Sequence, residues 1–101
     1  MKVQFDLQRF ANISNSTNSK LITGTNGADS IYNSGYYATI NAGDGNDSID
    51  NYGVYASINA GDGNDYIYND WGYCATINAG DGNDYIANKG ENVTIEGGLR
   101  R

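Results

Sequence analysis

The sequence predicts an all-β solenoid, a coil of very short strands joined by tight turns, and two observations carry that prediction. The phrase Ile-Asn-Ala-Gly-Asp-Gly-Asn-Asp occurs three times, at residues 40 to 47, 58 to 65 and 77 to 84. Self-similarity at a fixed period marks a chain that stacks one supersecondary unit on the next. Within the units a large aliphatic returns nearly every nine residues, at Ile22, Ile31, Ile40, Ile49, Ile58, Ile67, Ile77, Ile86 and Ile95. A helix places apolar residues three and four apart, and an ordinary half-buried strand alternates over four to eight; neither pattern is present.

Taken in order, residues 1 to 20 stand apart from the repeat. Val3, Phe5 and Leu7 alternate with Lys2, Gln4, Asp6 and Gln8, which reads as an amphipathic strand. Such a strand is expected to cap the first turn, because an unfinished solenoid exposes an unpaired edge. Residues 12 to 20, Asn-Ile-Ser-Asn-Ser-Thr-Asn-Ser-Lys, read as a polar linker. The repeat proper covers residues 21 to 98, about four turns of eighteen residues. It opens with a degenerate copy, Ile22-Thr23-Gly24-Thr25-Asn26-Gly27-Ala28-Asp29, and closes on Ile95-Glu96-Gly97-Gly98 before a basic tail at 99 to 101. One residue breaks the beat: Asn69-Asp70-Trp71-Gly72 stands where the preceding unit has Asn51-Tyr52-Gly53.

A chain of 101 residues is one domain, and its apolar inventory is thin. Ordering so many residues on so few large side chains calls for another source of stability. Charge indicates what it is. The net charge is −6, and no basic residue occurs between Lys20 and Lys89, a stretch that holds Asp29, Asp44, Asp47, Asp50, Asp62, Asp65, Asp70, Asp81 and Asp84. Like charges stacked in register repel, and a bound cation relieves them. The same acidity argues against nucleic acid or an anionic membrane surface as partner. With no His and with Cys74 alone, there is no disulfide framework and no imidazole or thiolate zinc site; Cys74 reads as a small filler of the wall. No apolar run is long enough to span a membrane. Residues 1 to 7 lack the continuous apolar core of a secretory signal, so export is expected by another route or as part of a longer precursor.

Aligned on the isoleucines, the Asp-rich halves are Gly24-Thr-Asn-Gly-Ala-Asp29, Ala42-Gly-Asp-Gly-Asn-Asp47, Ala60-Gly-Asp-Gly-Asn-Asp65 and Ala79-Gly-Asp-Gly-Asn-Asp84, each followed by a three-residue strand. Glycine at the fourth place (Gly27, Gly45, Gly63, Gly82) permits backbone angles that let carbonyl oxygens converge. The Asp at the sixth place adds carboxylate oxygens. Hard oxygen ligands in a flexible turn suit calcium better than magnesium, which demands stricter octahedral geometry. An EF-hand fails, because counting from Asp44 its required Gly and Glu places hold Ile49 and Tyr55. A phosphate loop fails as well, since the phrase carries no Lys and is acidic. Identical acids at fixed pitch, with no His and no activated nucleophile, argue against an enzyme.

These loops resemble the nonapeptides of the RTX family, the hemolysin-type calcium-binding repeats, whose pattern is Gly-Gly-x-Gly-x-Asp followed by x, a large aliphatic and x. The departures are Ala42, Ala60 and Ala79 at the first place and Thr25 at the second. The resemblance implies a right-handed parallel β-roll in which two nonapeptides make one turn. It implies calcium between successive loops on the same side, held by the sixth-place Asp of both. Asp29 then pairs with Asp47, Asp47 with Asp65, and Asp65 with Asp84, giving about three sites. Backbone carbonyls complete them, from Gly24, Thr25, Asn26 and Gly27, from Ala42, Gly43, Asp44 and Gly45, from Ala60, Gly61, Asp62 and Gly63, and from Ala79, Gly80, Asp81 and Gly82. The side chains of Asp44, Asp62 and Asp81 are expected to face solvent.

The opposite half-repeats place Ala38, Ala56, Ala75 and Val93 where the sixth Asp would stand, so metal is expected on one flank alone. Asn33, Asn51, Asn69 and Asn88 open these halves and suit either a stacked amide ladder or ordinary Asn turns. Nine tyrosines and Trp71 lie on this flank or beside the inward isoleucines. They suit either stacking along the ladder or a contact face for a protein, a glycan or another copy. The expected function is that of an extracellular or cell-surface, calcium-ordered structural or adhesive module that self-assembles head to tail into filaments. The alternative is a non-catalytic segment of a larger secreted toxin or hydrolase.

Overall fold

The computed structural model describes residues 11 to 97, and over that span the chain is a β-solenoid. The expected cap within residues 1 to 10 and the basic tail at 99 to 101 lie outside the described residues. Ten strands alternate between two five-stranded sheets. The first sheet holds β1 (Asn12–Asn15), β3 (Ser30–Asn33), β5 (Ser48–Asn51), β7 (Tyr66–Asn69) and β9 (Tyr85–Asn88). The second holds β2 (Leu21–Thr23), β4 (Thr39–Asn41), β6 (Ser57–Asn59), β8 (Thr76–Gly80) and β10 (Thr94–Gly97). Every pairing is parallel and joins a residue to its counterpart one turn on: Ile31 to Ile49 to Ile67 in one sheet, Ile40 to Ile58 to Ile77 in the other. No helix occurs among the described residues, hence none that is long and apolar enough to cross a membrane.

The nine-residue beat follows from the geometry of a three-residue strand. Successive side chains point to opposite faces, so a strand this short sends one residue in and its two neighbours out. Ile22, Ile31, Ile40, Ile49, Ile58, Ile67 and Ile77 are that inward residue, and all are buried. At the strand ends, where the wall bends, Ala38, Ala42, Ala56, Ala60, Ala75 and Ala79 complete the core. Small side chains are needed there because opposite walls draw together. Ile86 is half-buried, and Ile95, expected inward like the rest, is 45 % exposed. Its register partner Ile77 lies on one side, and no described turn covers the other.

Two expectations need correction. Residues 12 to 20 are not a linker: β1 pairs with β3, bringing Ile13 opposite Ile31 and Asn15 opposite Asn33. The polar composition hid a strand whose two critical places, Ile13 and Asn15, are in phase with the repeat. The described solenoid therefore has about five turns where four were expected. Cys74 is also no wall filler. It is half-exposed with φ 58°, and Ser19, Tyr37, Tyr55 and Asn92 hold the same left-handed conformation at the matching turn position, with φ between 58° and 61°. Each such non-glycine residue costs about 1 kcal/mol, which the ladder must hold in place.

The asparagine flank satisfies both readings of its sequence at once. Asn33 Nδ2 donates to Asn51 Oδ1 at 2.8 Å, Asn51 to Asn69 at 2.8 Å, and Asn69 to Asn88 at 2.7 Å. The same amides close their own turns: Gly35 N–H donates to Asn33 Oδ1, while Asn33 Nδ2 donates to the Gly35 carbonyl, each at 3.0 Å. Asn33, Asn51 and Asn69 are wholly buried with donor and acceptor both engaged. The extra residue of the third unit is absorbed inside the turn, where Asn69 Nδ2 reaches the Gly72 carbonyl across one more residue than its counterparts. Asn69 still pairs with Asn51 and Asn88, so the insertion leaves the ladder in register.

Asn51→Ala interrupts this column and strands polar groups of Asn33, Gly53 and Asn69. It is expected to lower the unfolding free energy by about 2 to 4 kcal/mol, measured by urea denaturation. Asn88→Ala, at the exposed end, is expected to have less than half that effect.

Candidate metal centre

The Asp-rich loops stack on the flank opposite the asparagines. Gly43 and Gly45, Gly61 and Gly63, and Gly80 and Gly82 all have φ between 81° and 118°, a region that glycine enters without strain. A methyl group at Gly61 or Gly80 would strike the carbonyl oxygen of Gly43 or Gly61 in the loop before. A methyl at Gly63 or Gly82 would strike that of Gly45 or Gly63. The loop carbonyls thus point along the axis at the next loop, and a side chain at these glycines has no room.

All four sixth-place acids fall into one column. Asp29 N–H donates to Asp47 Oδ1 at 2.8 Å, Asp47 N–H to Asp65 Oδ1 at 2.8 Å, and Asp65 N–H to Asp84 Oδ1 at 2.9 Å. Asp29, Asp47 and Asp65 are buried, whereas Asp44, Asp62 and Asp81 face solvent. The fifth-place amides form an outer ladder: Asn64 N–H donates to Asn46 Oδ1 and Asn83 N–H to Asn64 Oδ1, at 2.7 and 2.8 Å.

One oxygen of each central carboxyl is satisfied and the other is not. Asp47 Oδ2 and Asp65 Oδ2 are buried without a hydrogen-bond partner among the described residues. Burial pushes both carboxyls up to about 7. The accepted backbone N–H opposes the rise, while Asp29 and Asp65 beside Asp47, and Asp84 and Asp62 beside Asp65, add to it. A surface cavity of about 380 Å³, lined by Asn46, Asp47, Ser48, Asn64 and Tyr66, opens beside this column.

The first loop is built differently. Thr25 donates to Asp29 through both its N–H and its hydroxyl, to Oδ2 and Oδ1 at 2.7 Å, and Gly27 N–H returns to Thr25 Oγ1 at 3.1 Å. Thr25 and Gly27 lack the positive φ of their counterparts. Asp29 is thus engaged within its own loop, and Thr25, a departure from the nonapeptide pattern, is what engages it. Nothing in the nonapeptide pattern announces this, although a Thr four residues before an Asp is able to close on it.

The geometry therefore ranks the three expected sites. Loops 42 to 47, 60 to 65 and 79 to 84 stack with glycine carbonyls of one loop against glycines of the next, and Asp47 and Asp65 within this stack each carry an unpartnered carboxylate oxygen among the described residues. The space between loops 24 to 29 and 42 to 47 has Asp29 already occupied. Among the other expected ligands, the Asp81 carbonyl accepts from Gly63 N–H at 3.1 Å, and the Asn26 and Gly27 carbonyls lie against Gly45 of the next loop. No group of three or more His, Cys, Asp or Glu side chains converges among the described residues. Any cation bound on this flank must draw on backbone carbonyls beside two carboxylates, a donor set that fits a hard divalent ion. The opposite flank carries the Ala38, Ala56 and Ala75 methyls at the equivalent place.

Because Asp47 and Asp65 stand above their ordinary value in the fold, folding takes up protons. In chelator, the protein is expected to be most stable below about pH 4 and to lose stability as pH rises through about 7, read from urea midpoints between pH 4 and 8. Asp65→Asn, which removes the buried charge, is expected to flatten that slope. Compared with protein-family models, with curated proteins and with solved structures, the chain returns no match.

Proposed function

We propose that the chain is a calcium-ordered scaffold, a structural or adhesive module that works outside the cell and carries no catalysis of its own. The observation that carries this reading is the buried Asp column with its two unpartnered oxygens. A column of carboxylates must be neutralised by protons or by a cation, and near pH 7 and above protons no longer suffice. Asp47, Asp65 and Asp84, with carbonyls of Gly43, Gly45, Gly61 and Gly63, would hold the ion. Bound there, calcium supplies positive charge and joins adjacent turns. The resemblance of the loops to RTX nonapeptides supports the same reading, and so does the absence of any basic side chain between Lys20 and Lys89. At a hundredfold excess over the dissociation constant each site adds about 2.7 kcal/mol to the folded state. Affinities of extracellular modules, about 0.1 to 1 mM, keep such a chain loose in cytosol and set it after export.

Self-assembly belongs to this reading because the last described turn leaves apolar surface uncovered. Ile86 is half-buried and Ile95 45 % exposed, and among the described residues β9 and β10 are the last strands of their sheets, each with one edge unpaired. A second copy laid on that edge continues both sheets and covers both isoleucines.

Calcium titration followed by circular dichroism and sedimentation tests both parts. At pH 7.5 β signal is expected to rise saturably with calcium, and species larger than a monomer to appear as protein concentration increases. No gain of β signal overturns the calcium reading; a strict monomer at high protein and calcium overturns assembly. Asp65→Ala, which removes a ligand shared by two sites, is expected to shift the midpoint to higher calcium by about tenfold. Asp29→Ala, whose carboxyl is tied to Thr25, is expected to shift it by less than threefold.

A further inference from the structure

The single interruption of the repeat also makes the most distinctive feature of the outer surface. With one residue more than its neighbours, the turn between Asn69 and Gly72 carries Asp70 and Trp71, and Trp71 is 59 % exposed. Its ring meets that of Tyr73 edge to face, with centroids 5.8 Å apart. Together with Tyr52, Asp70 and Lys89 these rings line a cavity of about 410 Å³. That volume is near the lower end of the roughly 300 to 1,000 Å³ typical of small-molecule sites. Asp50, on β5, neighbours Asp70, and Asp50 Oδ1 is buried without a hydrogen-bond partner among the described residues. Outside the cavity, Tyr66, Tyr68 and Tyr85 continue the aromatic surface over the same sheet, with ring centroids 5.7 and 6.2 Å apart.

We propose that this cavity binds a carbohydrate chain, with one sugar ring against Trp71 and Tyr73 and its hydroxyls held by Asp70 and Lys89. A sugar presents an apolar C–H face and a rim of groups that both donate and accept. Exposed, rigid aromatic rings suit the face, and one carboxylate with one ammonium suits the rim. An anionic ligand meets Asp70, and a cationic one meets Lys89, so a neutral polyol fits the mixed lining better than either. The tyrosine strip provides room for a chain longer than one ring. The cavity is on the asparagine flank and the Asp column on the other, so sugar binding here is independent of any cation bound there.

Trp71 is the one tryptophan of the chain, so its emission reports on this cavity without labelling. The protein, shown by circular dichroism to be folded, is titrated with cellohexaose, maltohexaose and chitohexaose, and separately with arginine methyl ester. A saturable emission change with at least one oligosaccharide is expected. By calorimetry, Trp71→Ala is expected to weaken that binding by about tenfold or more and Asp70→Asn by about fivefold, while Leu21→Ser, on the other sheet, leaves it unchanged. No saturable response to any of the three sugars overturns the proposal. So does a response to the arginine ester alone, which would make the cavity a cation site, and so does equal loss in Leu21→Ser.

Discussion

Everything in this molecule depends on parallel, in-register stacking at a pitch of one turn. Each residue of an inner turn sits on its counterpart from the turn before, so whatever the sequence places once it places as a column. A column succeeds or fails by whether its member is complementary to itself. Isoleucine is, because apolar surfaces cover one another without direction. Asparagine is, because an amide carries both donors and an acceptor, and Asn33, Asn51 and Asn69 pass hydrogen bonds along the axis with nothing left over. Aspartate is not. A carboxylate only accepts, so the backbone N–H of one turn satisfies one oxygen of the next and the second oxygen is stranded.

The two flanks are thus one geometry with opposite requirements. On one, stacked amides close the turns from within the chain. On the other, stacked carboxylates demand a proton or a cation, and the demand grows with each neighbour of like charge. Along one side the column is satisfied from within the chain, and along the other the second oxygens of Asp47 and Asp65 are left without a partner among the described residues. Replacing the acids by Ala, as the chain itself does at Ala38, Ala56 and Ala75, gives a column that needs nothing.

What the sequence revealed was whatever repeats. The phase of the isoleucines, the amide ladder, the single flank of buried acids and the outward Asp44 and Asp62 are all consequences of period, and period is visible without coordinates. What it concealed were departures whose meaning depends on a neighbour. Asn12-Ile13-Ser14-Asn15 reads as polar filler until Ile13 is seen nine residues before Ile22 and Asn15 eighteen before Asn33. Thr25 looks like a mild exchange for glycine, yet its hydroxyl and N–H take both oxygens of Asp29. The nearness of Asp50 and Asp70 has no local trace, because it joins a strand position of one turn to an inserted turn residue of the next. There burial and Asp70 push the Asp50 carboxyl up to about 6.

The distribution of unsatisfied oxygens along the axis also sets where order must begin. At the first loop Thr25 satisfies Asp29 from within, and at the last Asp84 is partly open to water, so neither end concentrates the repulsion. Asp47 and Asp65 bear it, each with an acid on both sides and no water to share the charge. On the proposed reading, a cation beside Asp65 would join three consecutive loops, those of residues 42 to 47, 60 to 65 and 79 to 84. The turns beyond them need no ion to stack, because each finds a formed edge and a matching asparagine already in place. Binding at the centre and ordering at the ends would then be a single cooperative event, since the least satisfied carboxylates belong to the central turns on which the others stack.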